Sequence, residues 1–154
     1  MVNLLSYSTA QTRRLGKVLG REILKTKHAK TALVLRLEGD LGSGKTTFLQ
    51  GLAKGLGVAE LVLSPTFIIM RKLKIRENSR SNPRQLANFY HFDCYRLSRS
   101  QEIEILDFKK IIADPRNVVA LEWADRVAKT LPRNAIFIKF QFINKSTRLL
   151  EFGL

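Results

Sequence analysis

Apolar residues recur along this chain at two spacings, one typical of helices and one typical of strands. The segment 8–11 (Ser-Thr-Ala-Gln) resembles a capping box, and the apolar positions behind it recur at helical spacing. They predict a first helix with one apolar face, formed by Leu15, Val18, Leu19 and Ile23. Residues 32–38 form a short aliphatic run, which predicts a buried strand. Helical spacing returns over 45–56, with Gly57 where a C-terminal cap belongs.

The remaining part of the chain predicts further short strands and helices. Residues 67–75 and 87–94 are extended in character and are joined by the polar run 77–85, so they predict an antiparallel pair with a long loop. Short helices are predicted over 101–108 and 124–130, and strands over 118–122, 136–143 and 148–152, the last two around a turn at 144–146. The predicted fold class is therefore α/β, with a mixed, partly antiparallel central sheet flanked by helices.

Length and composition agree with one folded unit. A chain of 154 residues is long enough for one compact core, so a single domain over 1–154 is expected. Hydrophobic residues make up 45% of the chain and charged residues 26%, which argues against wholesale disorder. No apolar run approaches the ~20 residues of a membrane span, and the N-terminal segment does not resemble a signal peptide. With a single cysteine, Cys94, these features predict a cytoplasmic protein without a membrane partner.

The chain is strongly basic, with 27 Lys and Arg residues against 13 Asp and Glu residues and a net charge of +14. A surplus of this size attracts polyanions such as RNA, acidic protein partners or nucleotide phosphates. The densest basic stretch is 71–76, followed by Arg80 and Arg84. Its basic and apolar residues alternate as they do on an exposed strand edge. Two interpretations stay open for this stretch, a surface for a partner or an edge strand protected by charge.

The loop between the predicted strand 32–38 and the predicted helix 45–56 carries the candidate chemistry. Residues 39–46 read GDLGSGKT and match the phosphate-binding pattern G-x-x-x-x-G-K-[ST] in full. Glycines let backbone N–H groups converge on phosphates, and the following helix presents its positive end. Lys45 is predicted to reach the β- and γ-phosphates of a nucleotide as a mobile, solvent-facing charge, and the Thr46 hydroxyl to ligate Mg²⁺. The predicted nucleotide contacts are Gly39, Asp40, Leu41, Gly42, Ser43, Gly44, Lys45, Thr46 and Thr47, with the Asp40 side chain pointing outward.

Other polar residues are predicted to complete this site. Mg²⁺ needs a second anchor, and Glu122 supplies a carboxylate at the end of an apolar strand that should lie beside the phosphate strand. Thr66, on a loop after the second helix, is predicted to sense the γ-phosphate or the metal. His91 and Asp93 share one face of a predicted strand, and Asp93 is the better candidate for ordering water or metal. His91 is predicted to be a structural residue, and Cys94, on the opposite face, an inert core residue.

Five motifs carry a family resemblance, and their order along the chain is specific. They are T-x-x-L-G at 12–16, GDLGSGKTT at 39–47, SPTF at 64–67, YHFDCYRL at 90–97 and LEW at 121–123. Together they resemble the bacterial TsaE (YjeE) family, the small ATPase of tRNA threonylcarbamoyladenosine biosynthesis. The resemblance implies a P-loop NTPase-like fold, ATP and Mg²⁺ as ligands, and ATP hydrolysis that is weak without partners.

The same resemblance implies partners and roles for individual residues. The partners would be the threonylcarbamoyl-transferase and its paralogous partner subunit, which support modification of the adenosine beside the anticodon of tRNAs that read codons beginning with A. Contact with tRNA would be indirect or through a basic surface, and none is expected with DNA. The long basic loop 76–85 departs from the family pattern. The implied catalytic and switch residues are Asp93, Glu122 and Thr66, the metal contacts are Thr46 and Glu122, and Thr12 and Arg148 lie near the nucleotide.

Other classes of protein account for these residues less completely. A small-molecule P-loop kinase would need a substrate pocket and an arginine-bearing lid, and neither is evident in the sequence. A GTPase would read guanine with N-K-x-D, whereas Thr147 stands where the aspartate belongs. A basic RNA-binding module without turnover would explain the charge but leaves the phosphate loop and Glu122 unused. The favoured hypothesis is slow ATP hydrolysis by in-line attack of water, which serves as a switch for partner proteins.

Overall fold

Seven strands form one mixed sheet in the part of the chain that the structure describes. The structure is a computed structural model and describes residues 1–27, 29–76, 83 and 85–153. The strands are β1 (Val2–Ser6), β2 (Leu33–Glu38), β3 (Met70–Lys74), β4 (Asn88–Asp93), β5 (Asn117–Glu122), β6 (Ile136–Phe142) and β7 (Arg148–Gly153). Their order across the sheet is β1-β7-β6-β2-β5-β4-β3. Strands β6, β2, β5 and β4 run parallel, whereas β3, β7 and β1 pair antiparallel with their neighbours, so the predicted mixed sheet is confirmed.

Helices cover both faces of this sheet. They are α1 (Thr9–Lys25), α2 (Lys45–Gly55), α3 (Phe108–Ala113) and two 3₁₀ helices, Ser100–Leu106 and Ala124–Thr130. α1 and α2 bury their apolar side chains on one face, and α3 and the 3₁₀ helices bury theirs on the other. The predicted α/β class, with a sheet flanked by helices, is confirmed. Within the described ranges, no helix combines the length and the apolar character that crossing a bilayer requires.

α1 and α2 pack backbone to backbone because both helices carry glycine at their contact. A Cβ atom at Gly16 would lie 2.0 Å from the carbonyl oxygen of Phe48, and one at Gly51 would lie 1.9 Å from that of Arg13. Interiors are close-packed, so a larger side chain here would force the helices apart. The buried residues of α1 are Thr12, Gly16, Gly20 and Ile23. Val18, which the helical spacing places on the apolar face, is instead 49% exposed, because the glycines turn that face toward α2.

Three other segments differ from the predicted elements. β1 is absent from the prediction, because four of its five residues are exposed and its place in the sheet comes from pairing with the distant strand β7. α3 is also absent from it, since Asp107, at φ 57, separates α3 from the preceding 3₁₀ helix. Residues 67–69 form a turn before β3 rather than part of the strand, with Ile69 at φ 66.

The basic segment 71–76 belongs to an edge of the sheet. β3 is the outermost strand, and its exposed Lys72 and Lys74 alternate with the buried Leu73. This part of the stretch is therefore an edge strand, as one interpretation expects, whereas the protective role of its charge and its use as a partner surface both stay predictions. Arg80, Arg84 and most of the predicted loop 77–85 lie outside the described residues, so a partner surface there stays a prediction.

Candidate nucleotide-binding site

A cavity of about 440 Å³ opens where the parallel strands β2, β5 and β4 end. Carboxyl ends of parallel strands meet at one edge of a sheet, which is where α/β proteins bind their ligands. The predicted residues in its wall are Thr12, Leu41, Gly42, Gly44, Lys45, Thr46, Thr47, Thr66, Asp93, Glu122 and Arg148. Gly39, Asp40 and Ser43 belong to the same loop but do not line the cavity. The wall also contains Trp123 and four residues that were not predicted, Thr9, Ser64, Tyr95 and Ser146, although the last three lie within two residues of predicted positions.

The loop 39–44 turns the chain from β2 into α2 around a left-handed glycine. Gly44 is the N-cap of α2 and has φ 102, a conformation that a side chain would strain. The backbone N–H groups of Gly42, Gly44, Lys45 and Thr46 donate to no backbone carbonyl of the described residues. They lie at the N-terminal end of α2, where the helix dipole favours negative charge. The loop therefore offers a set of free donors to an anion such as a phosphate.

The Lys45 side chain folds back over this loop. Its Nζ donates to the carbonyl oxygen of Gly39 at 2.6 Å and to that of Asp40 at 2.9 Å, and it lies 4.3 Å from the centre of the Trp123 ring. Only 4% of Lys45 is exposed, so the prediction of a mobile, solvent-facing charge is wrong for this structure. Burial lowers the pKa of Lys45, against the opposing effect of nearby carboxylates, of which Glu122 is the strongest. The side chain nevertheless lines the cavity, so a ligand bound there would contact it.

Glu122 connects the phosphate loop to the neighbouring strands. β2 and β5 pair in parallel with Leu37 opposite Glu122, as the sequence analysis predicts for the strand position. The Thr46 hydroxyl lies 3.0 Å from both Oε1 and Oε2 of this carboxylate. His91 Nε2 lies 2.8 Å from Oε1, and both His91 and Glu122 are buried.

The contact with Glu122 changes the interpretation of His91. His91 is predicted from the sequence to be a structural residue, whereas in the structure it lies against the predicted metal anchor, Glu122. Its Nδ1 is buried and has no hydrogen-bond partner among the described residues. The alternation of His91 and Asp93 indicates that they share a face, but the contact of His91 with Glu122 becomes visible only when β4 pairs with β5.

Asp93 is held by three hydrogen bonds at the end of β4. Its Oδ2 accepts from the Ser64 hydroxyl at 2.7 Å and from the Thr66 hydroxyl at 2.6 Å, and its Oδ1 accepts from the Tyr95 backbone N–H at 3.0 Å. The loop that carries Ser64 and Thr66 is thus attached to a carboxylate in the cavity wall. A hydroxyl has only one proton to donate, so another acceptor can take Thr66 only at the cost of this bond.

Thr12 and Arg148 approach the glycine loop from α1 and β7. A Cβ atom at Gly44 would lie 3.6 Å from Thr12 Cγ2 and 3.8 Å from Arg148 Cγ. The Thr12 hydroxyl is buried, 2.7 Å from the Ser6 hydroxyl, and Arg148 Nε donates to the Gly42 carbonyl at 3.3 Å. Both predicted residues therefore lie beside the loop, and Arg148 adds a positive charge to the cavity.

The oxygen atoms at this site suit Mg²⁺ that arrives with a phosphate ligand. In residues 1–27, 29–76, 83 and 85–153, no group of three or more His, Cys, Asp and Glu residues could hold a metal without such help. The Thr46 hydroxyl and the Glu122 carboxylate are hard ligands, and Mg²⁺ is usually held by one or two such groups together with substrate phosphates and water. The donor set therefore fits a magnesium–nucleotide complex.

Three features together define a P-loop NTPase-like fold. A strand leads through a glycine loop into a helix, the central strands of the sheet run parallel, and the strand beside the phosphate strand ends in a carboxylate. The chain belongs to the TsaE family. The family model described as threonylcarbamoyl adenosine biosynthesis protein TsaE matches residues 6–150, so the predicted family is confirmed.

Relatives and a solved structure agree with this assignment. Each of three similar proteins is called tRNA threonylcarbamoyladenosine biosynthesis protein TsaE. The Bacillus subtilis protein is 36% identical over 84% of this chain and 74% of its own length. The Treponema pallidum protein is 31% identical over 94% of both chains, and the Haemophilus influenzae protein is 29% identical over 88% of this chain and 79% of its own. The crystal structure of YdiB from Bacillus subtilis superposes with a TM-score of 0.71 at 27% identity, over 98% of this chain and 83% of that one.

Proposed function

We propose that this protein binds and hydrolyses magnesium–ATP as one component of the machinery that forms N6-threonylcarbamoyladenosine in tRNA. Membership of the TsaE family supports the pathway. The observation that carries the ATP part is the Thr46 hydroxyl, 3.0 Å from both Glu122 oxygens, beside a loop with free backbone donors. A hydroxyl and a carboxylate in this relation are what a P-loop protein uses to hold its metal ion.

Phosphate binding would rest on the backbone donors of the loop and on Lys45. A phosphate in the cavity offers Nζ charged acceptors in place of the Gly39 and Asp40 carbonyls, and charge-assisted hydrogen bonds are the stronger ones. Thr46 and Glu122 would hold Mg²⁺, and a bound Mg²⁺ would neutralise part of the phosphate charge.

Asp93 is the proposed group that orients the attacking water and accepts its proton. Its carboxylate lies in the cavity wall and is already fixed by Ser64, Thr66 and the Tyr95 backbone. A general base of this kind must be within hydrogen-bond reach of the water, and fixed geometry favours that. If the γ-phosphate accepts from Thr66, the bond to Asp93 is released and the loop that carries Thr66 can change position.

The loop that carries Thr66 connects the proposed hydrolysis site with a surface for partner proteins. Phe67 and Ile68, directly after Thr66, are exposed large apolar side chains. Exposed apolar patches mark surfaces for protein partners. The proposed partners are the threonylcarbamoyl-transferase and its paralogous partner subunit, and the proposed role of ATP is to switch their complex.

Turnover by this protein alone is expected to be slow. Arg148 is the arginine in the cavity wall, but its Nη1 donates to the backbone carbonyls of Asn144 at 2.7 Å and Thr147 at 3.0 Å. In this arrangement Nη1 is bonded to the protein backbone, and P-loop proteins that lack an arginine finger hydrolyse slowly.

ATPase measurements with and without partners test the proposal. We expect slow, Mg²⁺-dependent release of ADP and phosphate by the protein alone, and faster release when both partner proteins are added. The control is Glu122→Gln with the same partners, which should stay slow. Hydrolysis of ATP that does not depend on Mg²⁺, or transfer of the γ-phosphate to a small metabolite as in a kinase, would contradict the proposal.

A further inference from the structure

A groove on the outer side of α1 and α2 is lined by five cationic side chains. They are Arg13, Arg14, Lys17, Arg21 and Lys54, and we call this surface the basic groove. None of the described residues that line it is acidic, and it shares no lining residue with the nucleotide cavity. Across the described part of the chain, none of the five forms a salt bridge.

Helix geometry places three of these five charges in a row. Arg13, Lys17 and Arg21 follow one another at intervals of four residues, so they lie one above the other on the same face of α1. The row is about 12 Å long at the rise of an α-helix. The glycine contact between the helices brings Lys54 of α2 to the same groove, because Gly51 leaves the two backbones touching.

We infer that the basic groove binds the phosphate backbone of RNA. One strand of a DNA duplex presents a phosphate about every 3.4 Å along the helix axis, and RNA carries the same charged phosphate backbone, so a row of this length faces more than one phosphate. The described lining residues include no aromatic side chain, which favours contact with phosphates over stacking on bases. The inference rests on the proposed function, which supplies tRNA as the RNA.

The composition of the groove favours RNA over an acidic protein. Stable protein interfaces have an apolar centre surrounded by polar residues. Val18 is the one large exposed apolar side chain among the described residues of the groove. A surface of cations with so little apolar area suits a ligand that offers charge and little hydrophobic contact.

The test compares two triple variants that remove the same charge from different surfaces. Arg14→Gln, Lys17→Gln and Arg21→Gln together remove three cations of the groove, and leave Arg13, which donates to Gln50 across the helix contact. The control combines Lys110→Gln, Lys129→Gln and Arg133→Gln, which are exposed residues near the other face of the sheet.

Fluorescence anisotropy with an unmodified tRNA transcript would be recorded over a series of salt concentrations. We expect the groove variant to bind at least about tenfold more weakly than the wild type and the control variant to change less than about twofold. The slope of log affinity against log salt should fall by about 2 in the groove variant, at roughly 0.7 for each lost phosphate contact.

Three outcomes would overturn the inference. Equal weakening in both variants would show only diffuse attraction to net charge, and equally tight binding of poly-glutamate at the groove would point to an acidic protein. The third is that the wild type does not bind tRNA. ATP affinity measured on the same three proteins separates the two proposals, because neither triple variant touches the nucleotide cavity. Unchanged ATP binding with no RNA binding would refute the groove alone.

Discussion

The Thr46 hydroxyl lies 3.0 Å from each carboxylate oxygen of Glu122, although 76 positions separate the two residues in the chain. β2 and β5 are neighbours in the sheet, so the start of α2 and the end of β5 converge. The pair combines a neutral hydroxyl with a buried carboxylate, and this is the combination that a magnesium–phosphate complex requires. Predictions about metal dependence follow from this contact.

Replacing Glu122 by Gln should separate nucleotide binding from hydrolysis. The amide keeps the volume and one acceptor but loses the charge that would hold Mg²⁺. ATP binding should stay within about threefold, because the loop and Lys45 are intact, while Mg²⁺-dependent turnover should fall by on the order of 100-fold. Calorimetry and ADP release measure the two effects. The exposed Glu60→Gln is the control, and wild-type turnover in Glu122→Gln would reassign the metal anchor.

Lys45→Ala should weaken ATP binding without unfolding the protein. Hydrogen bonds to charged groups contribute about 1.5–3 kcal/mol, so the expected loss of affinity is roughly 10- to 100-fold. Burial disfavours the charged form of Lys45, but alanine also loses the hydrogen bonds from Nζ to the Gly39 and Asp40 carbonyls, so the two effects on stability oppose each other and the variant should still unfold in a clear thermal transition. Titration with a fluorescent ATP analogue and thermal unfolding give both values. Lys54→Ala, on the exposed last turn of the same helix, should not alter ATP affinity; unchanged affinity in Lys45→Ala would remove the P-loop interpretation.

Thr66→Val tests the proposed γ-phosphate sensor. Valine keeps the shape of threonine but removes the hydroxyl that donates to Asp93. We expect ATP affinity to change by less than about threefold and turnover to fall by roughly tenfold, within the range of a lost transition-state contact. The matched control is Ser64→Ala, which removes the other hydroxyl on the same Asp93 oxygen. An equal loss in both variants would mean that the hydroxyls only hold Asp93 in place.

Gly16→Ala and Gly51→Ala should each destabilise the fold. The added Cβ would meet a carbonyl oxygen of the facing helix at 2.0 Å or 1.9 Å, so the helices must separate. Overpacking of this kind typically costs about 1–3 kcal/mol, which urea unfolding would show as a lower midpoint with an unchanged slope. Val18→Ala, exposed on the same helix, should stay within about 0.5 kcal/mol of the wild type. Wild-type stability in both glycine variants would refute the close helix contact.

The thiol of Cys94 should be inert in the folded protein. Burial raises the pKa of Cys94 from 9.0 to about 12, so the reactive thiolate forms only when the chain unfolds. Iodoacetamide should label the native protein slowly at pH 9 and the urea-unfolded protein rapidly. Because the pKa is raised on folding, the contribution of Cys94 to stability is fully present below pH 9 and is lost as the pH rises toward 12. Rapid labelling of the native protein would contradict this.

Local sequence accounts for the strand, loop and helix of the phosphate site and for the family. Residues 39–46 define their own conformation, since glycines, a following helix and a preceding aliphatic strand are all local signals. Glu122 and Asp93 are also predictable, because each ends an apolar strand and such ends meet at one edge of a parallel sheet. Their catalytic roles stay predictions.

Features that depend on contact between distant segments were not predicted from the sequence. β1 joins the sheet by pairing with β7, His91 meets Glu122 across the β4–β5 pair, and the buried face of α1 is set by the glycines of two helices. Lys45 is buried because the loop carbonyls and Trp123 surround it, which no helical spacing reveals.

The sequence by itself therefore determined the phosphate loop, the alternating α/β order and membership of the TsaE family, because each follows from residues that are adjacent or recur at a fixed period. The tertiary structure decided which side chains share the cavity, how Thr66 is attached to Asp93, and that five cations of α1 and α2 form one groove. The physical reason is that hydrogen bonds and close packing act over a few ångströms in space, and only folding determines which distant residues come that close.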